Sequence, residues 1–329
     1  MEPWSINTLV LVFGGGIAGA AFGTLWAVVL CAFFIFVGCA IVCVGGSDFL
    51  LLQVGLGPIF GPHVGGFASG IAAAAYAAGV SKNHPTGAAK DILSPLLDTS
   101  WDVLVVGGIA ALIGHIALQI FVKIPIINQF DCIALSVIFT NALARLAFQK
   151  EMPWGRSDSI KKYGYLGTGN YAISWAPWQS PPKTLVVLAF GVGSLSVALA
   201  WGLKQHLDPM AAKGIISATD AFVVPLIIGW AIAIINLIAL MLGTGSLQKV
   251  PLFHCQACLG ALAFLLTGSV AAGIVAAILG ALLQELMARM VFNHGTTHID
   301  PPATAIAFGT LFINLLMKPE FLNLGSLFK

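Results

Sequence analysis

The chain has 329 residues, of which 58% are hydrophobic and only 9% charged, and its mean hydropathy is +0.96. A soluble domain carries about a quarter charged residues, so this composition excludes an ordinary water-soluble fold and makes the lipid bilayer the expected surroundings. The formal net charge of +2, with no Lys/Arg run interleaved with aromatics, excludes nucleic acid as a partner.

A spanning helix needs about 20 mostly apolar residues. In chain order that rule predicts helices over roughly 7–24, 26–45, 61–79, 102–121 and 130–148, then 184–203, 219–242, 254–268, 270–291 and 303–317. The expected fold is an all-α integral membrane protein of about ten transmembrane helices. No basic residue precedes the first apolar run in MEPWSIN, so that run reads as a retained membrane segment rather than a cleaved signal. The segments 61–79, 254–268 and 303–317 begin at or near Pro or Gly and are expected to be re-entrant or broken helices. The 37 glycines suit helices that approach closely in lipid. The six cysteines lie at helix starts or within helices, as small buried residues rather than a disulfide framework. A polar stretch rich in Trp and Tyr, 149–183, reads as an interfacial connecting loop. Three parts follow: a first membrane repeat at 1–150, a connecting cytoplasmic loop at 151–183 and a second membrane repeat at 184–329.

The two membrane parts resemble each other. The run from Gly107 to Gly114 aligns without a gap on Gly273 to Gly280, which sets Gln119 opposite Glu285. Pro58-Ile-Phe60 matches Pro251-Leu-Phe253, the nine residues from Asp131 match those from Asp300, and Phe13 to Gly16 match Phe190 to Gly193. These four matches are colinear. Five spans in each half would invert the second half relative to the first. With the connecting loop inside, the inner loops hold Lys82, Lys90, Lys150, Arg156, Lys161, Lys162, Lys183, Lys249 and Arg289, against Lys123, Lys204, Lys213, Lys318 and Lys329 outside. The basic excess falls on one side, as the positive-inside rule requires, in a multi-pass protein of the cytoplasmic (inner) membrane.

GPHV followed by an Ala-rich helix, and the run HGTTHIDPPA from His294 to Ala303, resemble uncharacterised bacterial multi-pass membrane proteins. The five-plus-five plan is similar to that of inverted-repeat transporters and channels, urea and ammonium channels included, although neither of those families' signature residues is found here. Such proteins place their site near the midplane, between the repeats.

Polar groups at membrane depth are costly and usually line an interior path. The richest cluster is Asn293 to Pro302, with His294, Thr297, His298 and Asp300. Its Gly and paired Pro keep the backbone irregular, while Asp ahead of Pro also suits a plain helix cap. A second cluster is the Pro/Gly-rich entry around His63, paired with His254 and Gln256 in the other half. Pro-interrupted polar entries at matching places of two repeats point to a transporter site. Asp131 joins the expected substrate-binding set as the match of Asp300. Glu285, Gln119 and His115 are the expected coupling residues, with an i,i+4 pair to Arg289 as the plain alternative for Glu285.

These features predict a transporter or channel for a small polar solute or ion, in contact with the lipid bilayer, with no catalytic residues. No cofactor is expected, though a bound metal or coupling ion and a homo-oligomer are both compatible with the pattern. The alternative is an intramembrane metal-dependent hydrolase drawing its ligands from His254, Glu285, His294, His298 and Asp300.

Overall fold

The computed structural model describes residues 1–167, 173–243 and 245–317, and these form an all-helical fold. In chain order the α-helices are α1 (Ile6–Phe22), α2 (Thr24–Cys43), α3 (Ala68–Tyr76), α4 (Trp101–Phe121), α5 (Cys132–Ala144), α6 (Ser157–Tyr163), α7 (Pro182–Ala212), α8 (Ala218–Ile235), α9 (Ile238–Met241), α10 (His254–Thr267), α11 (Val270–Met287) and α12 (Pro301–Met317). Each apolar segment read from the sequence coincides with one of these helices.

Seven of the described helices are long and apolar enough to cross a membrane: α2, α4, α7, and α5, α8, α10 and α11 with their flanking turns. Three shorter apolar helices complete the set, α1, the α3 segment Ala68–Ser81, and α12. α10 itself is short, as expected at 254–268, and the candidate span Leu247–Thr267 is reached only by adding part of the 3-10 turn Gly245–Lys249 and the non-helical residues 250–253 that lie between it and α10. Large apolar side chains stay exposed on the outer helix faces, among them Val187, Phe190, Trp201, Val275, Leu279 and Phe312. A bilayer is the environment that such a surface fits.

Local chemistry sets the helix ends. Ser5, Asp131, Ser217 and Ser269 accept hydrogen bonds from the amides of Thr8, Ala134, Asp220 and Ala272, capping α1, α5, α8 and α11. Gly23, at φ 82°, separates α1 from α2 in a conformation costly for any residue with a side chain. α3, α5 and α11 each run on into a π-helical turn, at Ala77–Ser81, Arg145–Gln149 and Ala288–Phe292.

Small residues fix the packing. A Cβ on Gly16 would lie 2.5 Å from that of Ala111, and one on Gly107 would lie 2.6 Å from that of Ala20, so α1 and α4 touch almost backbone to backbone. In α7 and α11, a Cβ on Gly193 would lie 2.5 Å from that of Ala277, and one on Gly273 would lie 2.5 Å from Val197 Cγ2. Ala111 and Ala277 follow Gly107 and Gly273 by four residues, as Ala20 and Val197 follow Gly16 and Gly193. The glycines that align in sequence therefore place their closest side-chain contact at corresponding positions, although Gly16 also meets the Gly107 carbonyl and Gly273 also meets the Gly260 carbonyl.

Two helix pairs join the first part of the chain to the second, α2 with α8 and α5 with α12. Arg145, at the end of α5, bonds Thr297 just ahead of α12, while Asn314 in the last turns of α12 donates to the Gln129 carbonyl ahead of α5. α5 and α12 are therefore antiparallel. His206, near the end of α7, donates to the Cys43 carbonyl at the end of α2. That sets the end of α2 beside the start of α8, so this pair is antiparallel as well.

Candidate functional site

A cavity of about 290 Å³ lies where these two pairs meet. Its wall takes Leu25 and Val28 from α2, Ala134 and Val137 from α5, Val223 to Trp230 from α8, Cys258 from α10 and Ala303 and Ile306 from α12. Phe67, Ile92 and Trp175 close it from the connecting segments. It runs about 9 Å along α5, from Asp131 to Val137, and about 9 Å along α12, from Asp300 to Ile306, at 1.5 Å per residue. Because the helices are antiparallel, the two carboxylates mark opposite ends.

Each carboxylate belongs to a helix start. Asp131 accepts from the Ala134 amide at 2.9 Å and Asp300 from the Ala303 amide at 2.7 Å, so capping and exposure to the cavity coexist in both. His298 Nε2 donates to the other oxygen of Asp300 at 3.1 Å, and its ring is held by the edges of Phe67 and Phe292. His254, the first residue of α10, is buried against the same space, and its Nδ1 has no hydrogen-bond partner. The remaining wall is aliphatic or aromatic, contrary to the polar cavity expected from the sequence. Among the described residues no Lys or Arg lines it.

Other residues singled out by sequence lie elsewhere. His63 is fully buried but absent from the cavity wall. Its ring stacks on His115 at 6.5 Å, and neither ring nitrogen has a partner. His115 donates to the Pro3 carbonyl at 2.9 Å and packs on Trp4, tying the N-terminal residues to α4. Gln256 is fully buried with its amide unpartnered, one side chain away from the cavity wall. Gln119 is half-buried and away from the cavity. Glu285 is bound by Arg289 at 3.0 Å, the plain helical pair, because one turn of helix brings the guanidinium within reach. His294 bridges the Ser159 hydroxyl and the Tyr165 carbonyl and so anchors the α6 segment. Among the described residues no three His, Cys, Asp or Glu side chains gather as a metal-holding group.

Sequence reading missed Arg145. This side chain is fully buried, and it donates from Nε to Thr297 Oγ1, from Nη2 to the Thr297 carbonyl, and from Nη1 to the carbonyls of Val291 and Pro153. Thr297, expected to meet solute, instead meets this guanidinium. Gly295 leaves the space, since a Cβ there would fall on the guanidinium itself. Lys90, from the long loop of the first half, reaches the Asn293 carbonyl at 3.3 Å and lies over the Phe292 ring at 4.0 Å. Burial, with Arg145 nearby, pushes its ammonium down to about 7. The Asn293 side chain accepts from the Trp175 amide, and the Ile92 carbonyl from that of Leu25. Of the two wall residues, Trp175 is thus tied to Asn293 and Ile92 to the start of α2, while Lys90, two residues before Ile92, meets Phe292 and Asn293.

The profile of a family of unknown function, DUF7973, matches residues 1–158 and 173–325. The chain belongs to this family. The gap between the two matched stretches, 159–172, takes in most of α6 and the residues that follow it. No curated protein and no solved structure matches the chain.

Proposed function

We propose that this DUF7973 member is a transporter of a small solute, with ten membrane spans in two inverted five-helix repeats. The observation that carries the reading is the cavity itself. Its wall is built from the two helix pairs, α2 with α8 and α5 with α12, that join one half to the other. The partners in each pair occupy equivalent places in their halves and run antiparallel, which is the relation an in-plane twofold axis produces. The shared glycine register of α1–α4 and α7–α11 supports the same relation. A solute bound at such a seam is exposed to one side or the other as the halves rock. The basic loops, with Lys82, Lys90, Lys150, Arg156 and Arg289, then face the cytoplasm across an inner membrane. The apolar wall narrows the expected polar solute to one with an apolar body.

The test uses Cys258, a native thiol on the cavity wall. In proteoliposomes of a variant lacking the other five cysteines, a membrane-impermeant thiol reagent should reach Cys258 from either face. Labelling from one face only, or from neither, refutes a path through the protein.

A further inference from the structure

We infer that the cavity binds a small organic cation with an apolar body, of the alkylammonium class; this rests on the transport reading for its role but on the cavity alone for its chemistry. Charge decides first. The ionisable wall residues are Asp131, Asp300, His254 and His298, so with neutral imidazoles the lining is anionic. The cations nearby are otherwise engaged: Arg145 is saturated by Thr297, Val291 and Pro153, and Lys90 is turned onto Phe292 and Asn293.

A carboxylate in an apolar cavity is costly unless a cation or donors meet it. Asp300 has His298 and one amide. Asp131 has only backbone amides, those of Ala134 and Ile133, and no side-chain donor, so its charge is the less compensated of the two. An inorganic cation would need several oxygen ligands, whereas the rest of this wall is hydrocarbon and indole. Phe67, Trp175 and Trp230 line the cavity with aromatic rings, the residue type that holds alkylammonium groups by cation–π attraction. The unpartnered Nδ1 of His254, a residue nine-tenths buried on the same wall, adds a polar contact for a hydroxyl or amine on the ligand. A volume of 290 Å³ holds about ten waters, which limits the guest to a small molecule.

The experiment measures binding to the purified full chain in nanodiscs by calorimetry and tryptophan fluorescence. Choline and tetraethylammonium are compared with 3,3-dimethylbutanol, the neutral isostere of choline, and with 3,3-dimethylbutanoate, an anion of similar size. The cations should bind at least about tenfold more tightly than either of these, and Asp131→Asn, Asp300→Asn and Trp230→Phe should each weaken the cations about tenfold. The Asp→Asn changes keep a capping side chain, and circular dichroism with thermal melting confirms the fold. Equal binding of the neutral isostere, preference for the anion, unchanged affinity in the Asn variants, or no cation binding at millimolar concentration would overturn the assignment. Cys258 labelling separates the two ideas: failure of the cation panel with two-sided labelling leaves transport standing, and cation binding with one-sided labelling leaves a cation site that is not a transport site.

Discussion

Replacing Arg145 with Ala should be among the most damaging single changes in the protein, although the residue lines no cavity. Four charge-assisted hydrogen bonds end on Thr297, Val291 and Pro153. At about 1.5–3 kcal/mol each they sum to roughly 6–12 kcal/mol. That sum overstates the loss, because burying a guanidinium opposes folding and the substitution removes this cost. What remains is the burial of four acceptors without partners, on the order of 3–5 kcal/mol. At about 2–4 °C per kcal/mol the melting temperature should fall by on the order of 10 °C. Fluorescence-detected melting in detergent gives the answer, with Arg145→Lys intermediate because an ammonium reproduces one or two of the bonds. Arg156→Ala is the control, since its ion pair with Asp158 is exposed, and no measurable shift is expected. An Arg145→Ala protein melting within about 2 °C of wild type would refute the claim that this guanidinium holds α5 to the 291–297 turn.

Gly16→Val should destabilise more than Gly193→Val, each by about 1–3 kcal/mol, because a side chain on Gly16 would clash with the Gly107 carbonyl and Gly108 Cα as well as Ala111, where one on Gly193 would clash with Ala277 alone; equal melting shifts would show that the α1–α4 crossing is no tighter than the α7–α11 one. The Lys90 ammonium titrates near 7 in the fold and near 10.4 when unfolded, so the unfolded chain holds the extra proton between those values and stability should rise with pH across that window. Lys90→Met should flatten this rise in melting curves taken from pH 7 to about 10, and an unchanged slope would show that Lys90 is not the group responsible. Asp131→Ala and Asp300→Ala should each cost about 1 kcal/mol through the lost cap, while the Asn variants stay near wild type; Asn and Ala variants that melt together would mean that the caps contribute nothing.

The helices were legible because the bilayer requires long apolar runs, and nothing else in the chain resembles them. The glycine register was legible for a related reason: a close helix crossing tolerates few residues, so Gly16, Gly107, Gly193 and Gly273 keep their spacing in both parts. Asp131, His254, His298 and Asp300 stood out as polar residues at broken helix starts, and they share a wall. Trp175, Trp230 and Val223 could not be found the same way, because an apolar residue facing a cavity is written like one facing lipid. His63 carried the same Pro/Gly signal as His254, but its ring turns toward His115. Glu285 drew attention as a carboxylate in an apolar helix when its partner was one turn away. Arg145 passed unnoticed because an arginine at a helix end ordinarily snorkels to the interface, and only the tertiary fold brings Thr297 and Val291 to it.

The departures from equivalence between the halves fall at the cavity. Asp300 has His298 two residues before it, where Asp131 has Gln129, and the match of Pro58 with Pro251 sets His254 opposite Gly61. One end of the cavity therefore carries a carboxylate bonded to an imidazole with a second imidazole nearby, and the other a carboxylate held by backbone amides alone. A hydrogen bond from a neutral imidazole disperses the negative charge of Asp300, so a cation at that end feels a weaker pull than one beside Asp131. A strictly symmetric pair of repeats would present the same end to either side of the membrane and hold a solute equally at both. In the transport reading, the His298–Asp300 pair makes the two ends unequal.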